Sequence, residues 1–203
     1  MFSQNPHDLG TGMRTVSSSA ASWISPEQYL EAERRAETKS EYFARQVFPM
    51  PGSSLRHNRI VRNLVVALHA QLRRSRCEVL PSDMRVKVLA TGLYAYPDVT
   101  VVCGEPQLED AHLDTLLNPI LLVDVLSEST ERYDRGRKAE HYRSVPSLEE
   151  YLFVSQQEPR IERYRRHGER EWVLNEAIGL HDAVELPSIG TVLRLHDVYD
   201  QVF

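Results

Sequence analysis

Apolar residues recur along this chain with two distinct periods, and each predicts its own kind of element. Through residues 54–74, Leu55, Ile60, Val61, Leu64, Val65, Leu68 and Leu72 follow helical spacing. One long amphipathic helix is expected there, with Arg56, His57, Arg59, Arg62 and Arg73 on its other face. A short helix ending near Arg35 is expected before it. Ser25 is its candidate N-cap, Pro26 suits the first helical position and Gln28 completes a capping box. Between the two helices, the aromatic-rich residues 41–50 predict a strand pair with a tight turn, although no Asn-Gly marks the turn.

Short runs rich in β-branched residues dominate the middle of the chain. They predict strands over residues 78–80, 84–89, 96–102 and 120–126, forming a central sheet, with a polar loop around 105–118. A helix capped by Ser129 or Thr130 should run to about Arg143, followed by strands over 148–154 and 160–164. Residues 171–174, 183–186 and 191–195, separated by Gly and Pro turns, give the last third an antiparallel character. The fold class is therefore α/β of the mixed α+β kind, without internal repeats.

Residues 1 to about 22 are polar and aperiodic, so a mobile N-terminal tail is expected, with Met13 as a second candidate start and residues 23–203 as a single domain. The 203 residues, 41% of them hydrophobic, suffice for one substantial core. A net charge of −5 argues against a bulk electrostatic binder of nucleic acid and leaves room for a local basic groove. Cys77 and Cys103 have no CxxC spacing, so reduced buried thiols are expected. The longest apolar run is too short to span a bilayer, and no signal peptide is visible; a soluble cytoplasmic protein with no membrane partner is expected.

The candidate chemistry lies in two acidic residues. Asp124 interrupts Ile120-Leu121-Leu122-Val123-Asp124-Val125-Leu126, and Asp98 opens Pro97-Asp98-Val99-Thr100-Val101-Val102. An ionised carboxylate in a buried strand is costly unless it is paired, hydrogen-bonded or bound to a metal. Neither strand supplies a cation, so the pair suits Mg²⁺ or Mn²⁺. Satisfaction by arginine or backbone amides is the alternative.

The ordered set Ser40-Glu41-Tyr42-Phe43, Arg56-His57-Asn58, Pro97-Asp98-Val99, Val123-Asp124-Val125-Leu126-Ser127-Glu128-Ser129-Thr130, Asp134-Arg135-Gly136-Arg137-Lys138 and Tyr142 resembles the Uma-type putative restriction endonuclease family, over roughly residues 24–200. That family belongs to the PD-(D/E)XK nuclease superfamily. The resemblance implies a restriction-endonuclease-like core, a central mixed sheet flanked by helices, and metal-dependent cutting of phosphodiesters. It makes Asp98 and Asp124 the metal ligands, Lys138 the catalytic cation displaced onto the following helix, and Glu41 an additional acidic residue. Where the superfamily's lysine normally stands, this chain has Leu126. His57, Gln46 and Lys87 complete the set as supporting candidates, Lys87 as an alternative cation. The chain departs from the family in having Asp124 for Glu, Glu128 for Pro, and Ala44-Arg45-Gln46 for a turn of Asn-Gly-Glu type.

Plainer readings stand beside these. Lys138 follows Asp134 by four residues and fits an i,i+4 ion pair; Glu41 fits a solvated strand edge; His57 fits a core-edge histidine. Arg160, Arg163, Arg165 and Arg166 fit a solvated strand face or phosphate contacts. Ser127 lacks the Gly-x-Ser-x-Gly setting of a nucleophile and reads as a loop or helix-approach residue. The expected function is Mg²⁺- or Mn²⁺-dependent endonuclease action on nucleic acid, DNA first, with a homodimer left open. The rival from another class is a nuclease-fold protein that binds nucleic acid or a protein partner without cutting; a metal-independent assembly subunit is a third reading.

Overall fold

The computed structural model describes residues 23–203, so the expected tail and Met13 lie outside the described residues. Helix α1 (Pro26–Glu33) opens with the expected cap: the Ser25 hydroxyl accepts from the Gln28 amide while the Gln28 side chain accepts from the Ser25 amide. Strands β1 (Ser40–Phe43) and β2 (Gln46–Pro49) form the expected hairpin. Its two-residue turn holds Ala44 and Arg45 at φ of 48° and 67°, the left-handed region that Asn-Gly would occupy without strain. Helix α2 (Leu55–Leu72) follows, capped by the Ser54 hydroxyl and burying Ile60, Leu64, Leu68 and Leu72 along one stripe.

The remaining elements are β3 (Cys77–Pro81), β4 (Arg85–Val88), β5 (Leu93–Ala95), β6 (Val99–Cys103), β7 (Thr115–Leu116), β8 (Leu121–Val125), α3 (Glu131–Tyr133), a π-helical turn (Asp134–Lys138), α4 (Ala139–Arg143), β9 (Glu150–Val154), β10 (Arg160–His167), β11 (Glu171–Ile178), β12 (Ala183–Leu186), β13 (Thr191–Arg194) and α5 (Leu195–Val198). Helix α3 begins after Ser127, whose hydroxyl accepts from the Thr130 amide; Thr130 itself makes no side-chain cap bond. Of the two roles expected for Ser127, loop or helix-approach residue, this is the second.

The strands form two larger sheets where the sequence predicted one. The six-stranded sheet runs β11-β10-β9-β8-β6-β3 and is mixed, β8 and β9 being its parallel pair. The five-stranded sheet runs β2-β1-β5-β4-β7, and β12 pairs with β13 alone. The run over 96–102 is not one strand, because Pro97 cannot donate to a ladder and separates β5 from β6. The 105–118 stretch also holds β7, which pairs in parallel with β4.

Strand β8 is buried on both faces. Leu121, Val123 and Val125 pack with Ile60, Leu64 and Leu68 of α2, while Leu122 joins Val86, Val88, Leu93 and Tyr142 in a second core between the two larger sheets. Asp124, at period two from Leu122, faces that second core. A parallel β8–β9 pair needs a long crossover, and here it carries α3, the π turn and α4 back across the face that holds Asp124.

The cysteine expectation is overturned. Cys77 and Cys103 are direct partners in the β3–β6 register and form a disulfide. Strand pairing, invisible in sequence spacing, brings the thiols together. Among the described residues, no helix is long and apolar enough to cross a membrane.

Candidate active site

Asp124 is 2% exposed, and both its oxygens are engaged. The Tyr151 hydroxyl donates to Oδ2, and Lys138 Nζ lies 3.3 Å from Oδ1. Tyr151 can do this because β9 runs parallel to β8 and presents it on the same face. Lys138 arrives from the crossover: it ends the π turn, a distortion common at functional sites, and its ammonium is buried beneath the hairpin. Its nitrogen also lies 3.2 Å from Glu41 Oε1 and 3.6 Å from Asp134 Oδ1. One ammonium therefore joins β1 of the five-stranded sheet to β8 of the six-stranded sheet.

Asp98 stands at the bend between Pro97 and β6, next to β8 in the ladder. Its Oδ2 accepts the Val125 amide at 2.7 Å, and its Oδ1 lies 3.1 Å from His57 Nε2 on the first turn of α2. His57 Nδ1 is buried without a partner. These groups line one cavity of about 550 Å³, walled on another side by Phe43, Phe48 and Met50 and by Arg137 of the π turn.

Electrostatics set this centre apart from the rest of the core. Glu41, Asp124 and Asp134 are buried around the single Lys138 ammonium, with Asp98 close by. Burial pushes the Asp124 carboxyl up to about 7, with Asp134 and Asp98 adding to the rise against the pull of Lys138. Burial raises Asp134 in the same direction. Burial works against the Lys138 charge, yet Asp124, Tyr142, Glu41 and Asp134 together hold its proton well above the usual lysine range. Burial thus disfavours the charge on both Asp124 and Asp134 despite the ammonium between them, so the centre is short of positive charge.

That shortage is what a divalent cation would fill. Among the described residues, no three His, Cys, Asp or Glu side chains form a ready-made metal cage. Asp98 at the entry to β6 and Asp124 on the adjacent β8 could supply two hard oxygens, each with a lone pair beyond the donor it already holds. Mg²⁺ is commonly held in that way, by one or two carboxylates with water and phosphate completing the shell.

The structure thus brings Asp98, Asp124, Lys138, Glu41 and His57 together. It does not bring in Gln46 or Lys87. Gln46 pairs with Phe43 at the exposed hairpin tip, outside the cavity lining, and Lys87 on β4 is bound to Glu109 and lies over the Tyr94 ring. Arg160, Arg163 and Arg166 are tied to Glu176, to the Glu185 carbonyl and to the Leu148 and Val145 carbonyls. Tyr151 carried no signal in the sequence, since a tyrosine in an apolar strand reads as core. Asp134 was visible only as an ion-pair partner for Lys138; in the structure it belongs to the same buried centre.

The profile of the family described as Uma2, putative restriction endonuclease, matches residues 26–195 of this chain. Two uncharacterized proteins of Synechocystis sp. are each 36% identical to it. For sll1609 the match spans 158 residues, 78% of this chain and 89% of that protein. For slr1290 it spans 177 residues, 87% of this chain and 91% of that protein. Among solved structures, a putative nuclease belonging to DUF820 from Anabaena variabilis matches with a TM-score of 0.72 at 15% identity, covering 89% of this chain and 99% of that one. The last likeness establishes a shared fold.

Proposed function

The chain belongs to the Uma2 putative restriction endonuclease family, and from that premise we propose that it is a metal-dependent nuclease hydrolysing phosphodiester bonds in DNA. The observation that carries this reading is the Lys138 ammonium held among Glu41, Asp124 and Asp134 beside Asp98, at the deep end of a cavity. Asp98 and Asp124 would hold Mg²⁺ or Mn²⁺. Such a cation, when bound, supplies Lewis acidity toward the phosphate and activates water.

The chain's own groups do the rest. Lys138 keeps its proton and places a fixed positive charge where negative charge grows on the phosphoryl oxygens. Glu41 and Asp134 hold that ammonium from two further sides, so little reorganisation is needed during reaction. His57 and the Val125 amide orient Asp98, and Tyr151 orients Asp124. Arg137 on the cavity wall is placed for a non-reacting phosphate oxygen. No serine nucleophile is required, and the Ser127 hydroxyl is bound to Ser129 and Thr130.

A second reading, binding without cutting, is favoured by one observation: all four oxygens of Asp98 and Asp124 already hold a protein partner. Calorimetric titration with Mn²⁺ separates the two. The nuclease reading expects stoichiometric binding by wild type and its loss in Asp98→Asn, which keeps an acceptor for the Val125 amide. Equal heats from the two proteins would favour the second reading.

A further inference from the structure

Phe48 is a large aromatic side chain with no core to fill. It lies on edge strand β2, is 45% exposed, and nonetheless lines the cavity that holds Lys138. Its direct cross-strand partner is Glu41. Residues directly opposed in an antiparallel pair project on one face with Cβ atoms about 5 Å apart, so the ring and the Glu41 carboxylate flank the same space. Phe43, two residues along β1, continues that wall, and Met50 extends it beyond β2.

Two further features describe what such a wall could receive. The reactive groups are sunk: Asp124 is 2%, Lys138 5% and Glu41 7% exposed. A phosphate must therefore descend into the cavity to meet them. Cationic side chains are also scarce. Of the lysines and arginines, Arg137 and Lys138 alone line the cavity among the described residues, and Lys138 is already committed to carboxylates. Duplex binding draws its strength from neutralising several phosphates along a rigid backbone. This cavity offers instead an exposed aromatic face beside the charged centre, and a base can stack on such a face only when it is unpaired. Its volume of about 550 Å³ falls in the range of pockets that enclose a single small ligand.

We propose that the cavity takes an unpaired nucleotide, its base stacked on Phe48 and its phosphate at Lys138, so that the substrate is single-stranded or locally opened nucleic acid. This rests on the nuclease reading and specifies its substrate class. Apolar, edge-mounted Phe48 acts here on binding, while Asp98, Asp124 and Lys138 act on the bond.

The test is binding of a single-stranded DNA oligonucleotide containing 2-aminopurine, and of the same sequence as a blunt duplex, in Ca²⁺. Wild type, Phe48→Ala and Phe48→Trp are compared; the position is exposed, so folding is checked simply by the melting temperature. We expect wild type to bind the single strand at least about tenfold more tightly than the duplex, with quenching of 2-aminopurine emission. Phe48→Ala should lose the quenching and at least about fivefold in affinity, the low end of what one base–aromatic stack is worth, and Phe48→Trp should restore both. Duplex binding as tight as single-strand binding, or an unchanged single-strand affinity in Phe48→Ala, overturns the inference. Cleavage is scored separately. A protein that binds the single strand through Phe48 and cuts nothing contradicts the nuclease reading, whereas one that cuts duplex DNA through Asp98 with Phe48→Ala unimpaired contradicts only the present inference.

Discussion

The hydroxyl of Tyr151 donates a hydrogen bond to Oδ2 of Asp124 inside a core where both residues are all but inaccessible to solvent. This bond fixes the plane of the carboxylate while Lys138 holds the other oxygen. Tyr151→Phe leaves the ring packing against Tyr142 and Phe153 intact and removes only the donor. Hydrogen bonds to charged groups are worth about 1.5–3 kcal/mol, so thermal unfolding should show a loss of that order. The bond also opposes the upward shift of the Asp124 carboxyl, and without it that carboxyl should titrate still higher, moving the acidic limb of any pH–activity profile upward.

The same contact governs the departure from the family's Glu at this position. A longer carboxylate arm must push into the Tyr151 hydroxyl and the Lys138 ammonium, so Asp124→Glu alone should destabilise the fold by about 1–3 kcal/mol, the usual cost of overpacking. Asp124→Glu combined with Tyr151→Phe removes the clashing oxygen and should recover part of that loss. Denaturation midpoints of the four proteins give the coupling; strict additivity would show that the two side chains do not compete for space.

The hairpin turn stores strain that a single substitution can release. Arg45 holds a φ of 67° with a side chain that this region disfavours, and its guanidinium makes a long contact with the exposed Trp23 ring. Arg45→Gly should stabilise the protein by about 0.5–1 kcal/mol, or roughly 1–4 °C in Tm by calorimetry. A lower Tm would mean that the Trp23 contact outweighs the backbone strain.

Acid stability should hinge on α1. Hydrogen bonding to Arg34 first, then the charge of Arg85, holds the Asp114 carboxyl far below its ordinary 3.8, against the opposing effect of burial. A depressed carboxylate adds stability that is fully present above the unfolded value and is lost as pH falls through it toward the folded value. Below about pH 4 wild type should therefore lose Tm more steeply than Arg34→Ala, which has already forfeited about 1 kcal/mol of this partly exposed bond at neutral pH. Parallel Tm–pH curves for the two proteins would remove the ion pair from the account.

Local physics made much of this molecule legible. The Ser25 capping box and the apolar stripe of α2 act within a few turns of one chain segment, and both elements formed where their residues predicted. The hairpin was legible too, but not its left-handed Ala44-Arg45 turn, which no residue propensity announces. Sheet partnership was not, because short strands choose partners through distant contacts: the middle strands separated into two sheets, and the opposition of Cys77 to Cys103 followed from that pairing. Within the site, Asp98 and Asp124 were visible as charges in apolar runs, whereas Glu41 was signalled only by the family resemblance. Tyr151 was invisible because only the parallel β8–β9 register turns its hydroxyl toward Asp124. Gln46 and Lys87, near in sequence to site elements, lie apart because one sits at a turn tip and the other is bound to Glu109.

Metal-dependent cleavage by the Asp98, Asp124 and Lys138 centre is the core of this account, and single-turnover cleavage of circular single-stranded and supercoiled DNA in Mn²⁺ examines it most directly. Wild type should cut, EDTA should stop it, and both Asp98→Asn and Lys138→Ala should fall by at least about a hundredfold, the scale of losing one preorganised electrostatic group, while Lys87→Ala and Gln46→Glu cut like wild type. Cleavage that survives EDTA or Asp98→Asn, or a well-folded wild type that cuts neither DNA in Mn²⁺, would contradict it.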